Sequence, residues 1–486
     1  MKRTTTCPVQ VLAVLAAMAL PAMSHAQSST PQSPPADSLI NKLVEKGILT
    51  DKEGKELLAE TAKTTNTVSA SRWKLTETIK SIGLYGDMRF RYEYRDTDNL
   101  APGASGSTQD NYYRERFRYA LRLGLRGDLF ENFYYGLRLE TSSNPRSPWV
   151  TFGDDSNATP SAKNSDGINV GQVYLGWKPT SWYEMTVGKM PMPLYVTPLL
   201  WDSDINPEGA VEKFKAKVGD FDLFANLGQF MYQDSNPDHG LSSSDTFILA
   251  WQVGASVNLA TNLAFKVAPV IYNYTGVGSS GGLNQSFTGQ GNNLGLNTGT
   301  AAGFNQTGIN NLLVLEVPFE LNWKLGKYGT RLFGDFAYNF EGADRARAAF
   351  TATQVPTPGL TPLPRAYTDE NKAYQVGVGF GNLGLVYGQT SKKNTWEARA
   401  YYQHVEQYAA DVNLLDSDFF EGRGNLEGIY GAFAYSLTDS IIGTVRYGYA
   451  NRINKSLGTG GNNPDLPGLN PIQNYHLLQL DLTWRF

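Results

Sequence analysis

The sequence predicts an all-β protein, a transmembrane antiparallel β-barrel of about 16 strands preceded by a short helical segment. The final stretch, residues 474–486, alternates strictly between apolar and polar side chains, as in a strand with one apolar face. Most of the chain from about residue 82 onward repeats this alternation, and no helical pattern is present to cover the apolar faces. These faces must meet lipid or a second sheet. With so many strands, a closed barrel in lipid is the better interpretation.

The composition favours a membrane barrel over an ordinary globular protein. Mean hydropathy is only −0.35, although the chain contains 27 Tyr, 23 Phe and 9 Trp. A barrel with a wet interior needs apolar side chains on one face only, which keeps mean hydropathy low. The alternation runs without a break to the last residue, so we expect residues 81–486 to form one barrel.

The first 26 residues are typical of a cleaved secretory signal peptide. Lys2 and Arg3 precede an apolar run, and small residues stand before Gln27. The run is shorter than the roughly 20 residues that a membrane-spanning helix needs. Cys7, the only cysteine, would be removed with this segment, so no disulfide or thiol chemistry is expected. The mature chain would carry a net charge of about −6, which argues against a nucleic-acid partner.

Between the signal and the barrel we expect two short segments. Residues 27–36 are rich in Pro, Ser and Gln and predict a disordered linker. Residues 37–80 predict a helical leader, in which Thr50 to Glu53 matches a capping box. The leader is a helical hairpin on the periplasmic side, a coiled coil or peptidoglycan-side contact that organises an oligomer, or a small channel plug.

The barrel strands can be placed from the alternation and from the turn residues between them. We expect strands at 84–95, 113–127, 133–141, 168–178, 182–190, 209–219, 220–232, 247–259, 262–274, 311–324, 329–341, 372–386, 393–406, 424–437, 440–452 and 474–486.

The connections between these strands alternate in length. Short turns are expected on the periplasmic side, and long loops, including 191–208 and 407–423, on the outer side. The long loops as a group are expected to be solvated and mobile. A barrel of about 16 strands encloses a water-filled interior, whereas eight strands would be filled by side chains.

Together, the signal, the leader, the alternating strands and the terminal Trp484-Arg485-Phe486 resemble bacterial outer-membrane porins, in particular the "Putative porin" family with a helical leader. The resemblance implies a bacterial outer-membrane location and a channel for small hydrophilic solutes and ions. It further implies contact with outer-membrane lipid and lipopolysaccharide, and a homotrimer. Trp484 and Phe486 look like the signal that the outer-membrane barrel assembly machinery recognises.

If the apolar side chains face lipid, a group of arginines on the first three strands faces the interior. Charge on the lipid face near the midplane would cost roughly 2–4 kcal/mol per residue. These arginines either form a cationic pore wall that solutes feel or pair with carboxylates and brace the wall. They are Arg89, Arg91, Arg114, Arg116, Arg118, Arg122, Arg126 and Arg138.

The loop at 191–208 is less polar than the others and contains the acidic residues Asp202, Asp204 and Glu208. An apolar outer loop in water is unfavourable, so it should pack somewhere. In general porins the third loop folds inward and narrows the barrel, and this loop has the same position. Its three carboxylates would then face the arginines and set a transverse field. The alternative is that the loop packs between the subunits of a trimer.

Enzymatic activity is not expected, because His239, His404 and His476 lie in no catalytic motif. No cofactor or metal is expected either. The sequence therefore predicts passive diffusion through a porin. The alternatives are a substrate-selective channel, including one for hydrophobic solutes, or a structural envelope barrel without steady conductance.

Overall fold

The computed structural model describes residues 78–99, 111–142, 147–153, 166–234, 245–275, 311–354, 363–382, 392–459 and 472–486. All of these residues belong to the unit Thr78–Phe486. The expected signal peptide, the linker at 27–36 and the leader up to residue 77 lie outside the described residues.

The described residues form a single antiparallel sheet, with one α-helix and one short 3-10 helix, Phe130–Asn132, in the connections between strands. The strands are β1 Gly83–Asn99, β2 Asn111–Asp128, β3 Phe133–Ser142, β4 Val150–Thr151, β5 Gly167–Trp177, β6 Tyr183–Lys189, β7 Glu208–Val218, β8 Phe221–Gln233, β9 Thr246–Ala260, β10 Leu263–Val267, β11 Val270–Thr275, β12 Leu313–Glu316, β13 Phe319–Leu325, β14 Tyr328–Asn339, β15 Lys372–Asn382, β16 Trp396–Val405, β17 Leu426–Ser436, β18 Ile441–Arg452 and β19 Ile472–Arg485; the helix is α1, Gly342–Thr353.

The sheet closes on itself because the first strand pairs with the last. β1 lies antiparallel to β19, with Asp87 opposite Arg485 and Asp98 opposite Asn474. β4 is a two-residue addition to β2, and β10 with β11, like β12 with β13, forms one wall strand in two pieces. The described strands therefore make a closed barrel of 16 wall strands, which confirms the predicted fold class.

Proline explains both interrupted wall strands. Pro269 follows β10 and Pro318 follows β12, and proline has no N–H with which to continue the ladder. The freed groups find other partners: Ala268 donates to the Pro318 carbonyl at 3.0 Å, and Val317 donates to the Phe336 carbonyl at 2.8 Å. The wall therefore stays hydrogen bonded across both breaks.

The two faces of the wall differ as the alternation predicts. On β2, Phe117 and Leu123 are 50% and 41% exposed, whereas Arg116 and Arg122, which directly precede them, are 5% and 8% exposed. In a barrel with a polar interior, the exposed apolar face is the outer one. No helix within the described residues is long and apolar enough to cross a membrane.

Aromatic side chains gather at both ends of the outer face. At the end with the short turns, the Phe133 and Trp177 rings lie 6.0 Å apart and the Tyr328 and Trp396 rings 5.8 Å apart. At the opposite end, the Tyr374 and His404 rings stack at 4.7 Å. Two aromatic girdles with an apolar band between them are typical of barrels that sit in a bilayer.

Candidate functional site

The connection between β6 and β7, residues 190–207, is called the β6–β7 loop. Its two ends meet at a pair of glycines, because Gly188 and Gly209 are register partners with φ angles of 121° and 150°. A Cβ on Gly188 would lie 2.3 Å from the Val173 carbonyl oxygen, and one on Gly209 would lie 2.1 Å from the Gln229 carbonyl oxygen. Only glycine fits the conformation from which the loop leaves the wall.

The β6–β7 loop lies inside the barrel and touches distant parts of the wall. Tyr195 exchanges hydrogen bonds with the Gln252 side chain of β9, at 2.9 and 2.7 Å. Thr197 donates from Oγ1 to Oδ2 of Asp335 on β14, at 2.5 Å. Near its other end, Asp204 accepts a bond from Arg122 of β2. Because β2, β9 and β14 are far apart around the wall, the loop crosses the interior.

The apolar part of this loop is buried in that interior. Leu199 has no exposed surface, and Leu200 and Trp201 are each 5% exposed. The Trp201 ring lies 5.7 Å from that of Tyr272 on β11. The apolar segment was expected to pack against another part of the protein. It packs in an apolar core inside the barrel, in the half nearer the long loops.

A second loop enters the same core. Residues 406–425, called the β16–β17 loop, include Leu415, Phe419 and Phe420, which are 3%, 0% and 1% exposed. The Phe419 ring lies 5.9 Å from Tyr401 of the wall. The expectation that the loop at 407–423 is solvated and mobile was wrong. The clusters Leu414-Leu415 and Phe419-Phe420 were the available sequence signal, since they resemble the apolar run of the β6–β7 loop.

The two loops are joined at Asp202. Its backbone N–H donates to the Leu414 carbonyl at 2.7 Å, and its Oδ2 accepts from the backbone N–H and Oγ of Ser417 at 3.0 and 2.6 Å. Burial, together with Asp204, raises the pKa of Asp202 to about 6. Burial, with Asp202 and Asp418 nearby, raises the pKa of Asp416 to about 8. The contact between the two loops therefore holds two partly buried acids that are more easily protonated than a free Asp side chain.

Most of the arginines predicted to face the interior are paired with carboxylates. Arg91 donates from Nε and Nη2 to Asp481 at 2.8 and 3.0 Å, and its Nη1 lies 2.9 Å from Asp418. Arg138 bonds Glu140 at 3.0 Å. Arg89 binds Asp87, and Arg122 binds Asp204 and lies 3.8 Å from Glu140. Arg126 lies 5.0 Å from the Tyr85 ring, and Arg114 is the register partner of Arg95.

Glu93 is the centre of the densest part of this network. It has no exposed surface, and Arg116 and Arg95 reach its carboxylate at 2.6 and 3.0 Å. Arg118 lies 3.8 Å away, and Gln479 of β19 donates to it at 2.9 Å. This part of the wall has the geometry of a brace across the β1–β19 closure.

The three acidic residues of the β6–β7 loop have different surroundings. Asp204 faces the arginines and binds Arg122 at 2.6 Å. Asp202 is directed to the β16–β17 loop, as described above. Glu208 lies at the start of β7 and pairs with Lys189 of β6 at 3.0 Å. Of the three, Asp204 is the one the structure brings against the basic wall.

A cavity of about 630 Å³ lies beneath the β6–β7 loop, towards the short turns. Tyr195 and Thr197 form its roof, and Arg331 and Arg399 stand in its wall. These two arginines were not among the predicted site residues, because each is isolated in the sequence among apolar and small residues rather than part of a run.

The described residues contain no group of three or more His, Cys, Asp or Glu side chains placed to hold a metal ion. His404 lies on the outer face, with Nδ1 2.9 Å from Glu427, and His476 lies 3.1 Å from the Tyr447 hydroxyl. His239 falls outside the described residues.

A closed barrel of 16 strands, apolar outside and charged inside, defines a channel protein of a membrane. A family model agrees with this class. The model described as "Putative porin" matches residues 95–323 and 314–486, and the chain belongs to this family. Family and fold indicate an outer-membrane protein through which small solutes and ions pass, and such proteins are generally channels rather than enzymes.

Solved structures of porins are similar to the chain in fold. The anion-selective porin from Comamonas acidovorans shares 10% identity, covers 84% of this chain and 99% of its own, and has a TM-score of 0.41. A mutant of the Rh. blastica porin shares 10% identity, covers 84% of this chain and all of its own, and has a TM-score of 0.37. At these TM-scores neither structure carries an argument about function. No curated protein matches the chain.

Proposed function

We propose that the protein forms a water-filled channel for passive diffusion of small hydrophilic solutes and ions, narrowed by the β6–β7 loop. The observation that carries this proposal is the bond from Arg122 of the wall to Asp204 of the loop, 2.6 Å long. It sets an acidic loop against a basic wall within the interior. Opposite charges across a narrow passage orient dipolar solutes and set ion preference.

The charge of the wall is moderated by pairing. Because Glu93, Asp481 and Glu140 each bind at least one arginine, the field that a solute feels is that of a partly compensated network. We therefore expect a modest ion preference rather than a strong one. The arginines of β1 to β3 would then have both roles: they brace the wall through their carboxylate partners, and they give it a weak positive field.

A second candidate is a substrate-selective channel. The observation that favours it is the β16–β17 loop, which adds a second folded segment to the interior, with Phe419 and Phe420 almost fully buried. Two packed loops leave less open cross-section than one. A selective channel would show saturable transport of one solute class, whereas a general porin would pass solutes according to size.

The proposal also includes a cleaved signal at residues 1–26, a bacterial outer-membrane location, contact with lipopolysaccharide and a homotrimer. Assembly through recognition of Trp484 and Phe486 belongs to it as well. Trp484 lies exposed on the outer face, 5.3 Å from the ring of Phe486.

Planar-bilayer recording tests the channel directly. The purified protein should insert in discrete steps and carry a steady current in KCl, with a reversal potential in asymmetric salt that reports ion preference. A structural barrel would insert without steady current, and that result would refute the proposal. Liposome swelling with sugars of increasing size separates the two candidates, because a general porin shows a smooth decline with size.

A further inference from the structure

We propose that the cavity beneath the β6–β7 loop is a binding subsite for small organic carboxylates, held between Arg331 and Arg399. This proposal rests on the channel function above and assigns that channel a substrate class. The subsite lies on β14 to β16, away from the arginines of β1 to β3.

The register of the wall places the two arginines in one row. Arg331 of β14 is the partner of Gly379 of β15, and Gly379 is the partner of Arg399 of β16. Directly opposed residues of antiparallel strands point to the same face, so all three face the interior. Neighbouring strands lie about 4.8 Å apart, which puts the two arginine backbones about 10 Å apart. Two guanidinium groups with this spacing can reach one carboxylate between them.

Glycine at the middle position leaves the space that a ligand needs. A Cβ built on Gly379 would have Arg331 Cβ at 3.7 Å and the Ala398 carbonyl oxygen at 3.8 Å as its nearest neighbours, which are ordinary contacts. Any larger side chain there would project between the two arginines. The row continues with Ala432 of β17 beyond Arg399. Its small side chain leaves space for a ligand on that side of Arg399 as well.

The two arginines are positioned by their neighbours. The guanidinium of Arg399 lies 5.5 and 5.4 Å from the rings of Tyr401 and Tyr430. Arg331 donates to the Tyr195 hydroxyl in the roof at 3.5 Å and forms an ion pair with Glu320. Such contacts reduce the freedom that each side chain would lose on binding.

The charge and the size of the cavity fit a small anion. Among the described residues that line it, Lys324, Arg331 and Arg399 are cationic and Glu397 is anionic. With Glu320, the ion-pair partner of Arg331, these side chains carry a net charge of +1. Its volume of about 630 Å³ falls within the usual range of small-molecule sites, roughly 300–1,000 Å³. Arginine is well suited to carboxylates because its planar fork can donate two parallel hydrogen bonds.

Block of the channel current by succinate tests the subsite, with uncharged succinamide as the matched probe. In about 0.1 M KCl, where the Debye length is about 10 Å, succinate should reduce the current of the unmodified protein saturably, and succinamide should not. Arg399→Gln should raise the half-blocking succinate concentration about tenfold, as expected for the loss of one charged hydrogen bond. Gly379→Leu should raise it similarly while retaining every charge.

Two control variants accompany these. Gly443→Leu makes the same change at a site whose Cβ would have nothing within 4 Å, on the outer face. Arg347→Gln removes one charge from α1, where the side chain is 58% exposed. Both control variants should have the same half-blocking succinate concentration as the unmodified protein. Folding of every variant is checked by comparing the gel mobility of heated and unheated samples.

The outcomes separate the subsite from the channel. A steady KCl current without saturable succinate block would overturn the subsite and leave the channel standing. Block that is unchanged in both Arg399→Gln and Gly379→Leu would do the same. If the unmodified protein carries no steady current at all, the channel function itself fails.

Discussion

Arg122 of β2 donates from Nη2 to Oδ1 of Asp204 in the β6–β7 loop, and the two side chains are 10% and 15% exposed. This bond fastens the acidic end of the loop to the basic side of the wall. We predict that Arg122→Gln weakens the attachment by about 2 kcal/mol, the value of a hydrogen bond between charged groups. The loop should become more mobile, and single-channel current should become noisier and larger on average.

Arg126→Gln is the matched control, because Arg126 lies on the same strand and inner face but contacts the Tyr85 ring rather than the loop. It should leave current noise unchanged. If Arg122→Gln and Arg126→Gln give the same trace as the unmodified channel, the bond to Asp204 does not hold the loop.

The joint between the two inward loops should respond to pH. The pKa of Asp416 is raised to about 8 by burial and by Asp202 and Asp418, against the opposing effect of Arg399; that of Asp202 is raised to about 6. An acid with a raised folded-state pKa is penalised once it ionises, so the penalty grows as pH rises from about 4 to the folded pKa and is complete above it. Attachment of the β16–β17 loop should therefore weaken between about pH 4 and pH 8.

Asp416→Asn removes this penalty and retains an acceptor for the Asp418 N–H, which now donates to Asp416 Oδ1 at 2.9 Å. We expect the variant to stabilise the loop by about 1–3 kcal/mol at pH 8.5 and to change little at pH 4. Hydrogen exchange at residues 414–420 measures the difference. Equal protection of the two proteins at pH 8.5 would contradict the expectation.

Glu93 should be important for the stability of the whole barrel. It is fully buried and its carboxylate lies within 4 Å of Arg95, Arg116 and Arg118. Glu93→Gln would remove a buried carboxylate that these three arginines share, and we predict a loss of about 3–5 kcal/mol. The urea midpoint of the folded band on unheated gels measures this loss.

The comparison variant is Glu212→Gln, whose side chain accepts a bond from Gln229 at 3.0 Å and contacts no arginine in the described structure. Its midpoint should move far less. Were the two midpoints to shift alike, the three arginines would not depend on Glu93.

The last residue pairs with the first strand. Phe486 and Gly86 exchange two backbone hydrogen bonds, at 3.0 and 3.1 Å. Deleting Phe486 should reduce the amount of folded barrel in the membrane, because the closure loses its final pair and the proposed assembly signal is lost. Channels that do form should keep their conductance. Normal membrane levels of the shortened chain would count against this prediction.

The wall was predictable from sequence because its physics is local. Alternation along residues 113–127 requires one face in lipid and the other in water. The observed strand β2, Asn111–Asp128, is two residues longer at its start and one residue longer at its end than this prediction. The predicted strands at 262–274 and 311–324 are each interrupted. Pro269 and Pro318 were visible in the sequence and could have indicated the breaks.

The interior was less predictable, because loop conformation depends on distant partners. The apolar content of the β6–β7 loop indicated burial, but the direction of each carboxylate depends on turns that sequence does not specify. Asp202 is bound by Ser417, more than 200 residues away. Likewise, Arg331 and Arg399 become neighbours only through the register with Gly379.

The closure of β1 on β19 also has a consequence for timing. The barrel strand that is synthesised first can complete its pairing only with the strand that is synthesised last. Until then both carry a row of bare backbone donors and acceptors, the kind of edge on which chains aggregate or are attacked by proteases. Chains that end before residue 472 lack β19, so β1 keeps its unpaired edge. Exposed backbone donors and acceptors on β1 therefore distinguish incomplete chains from complete ones.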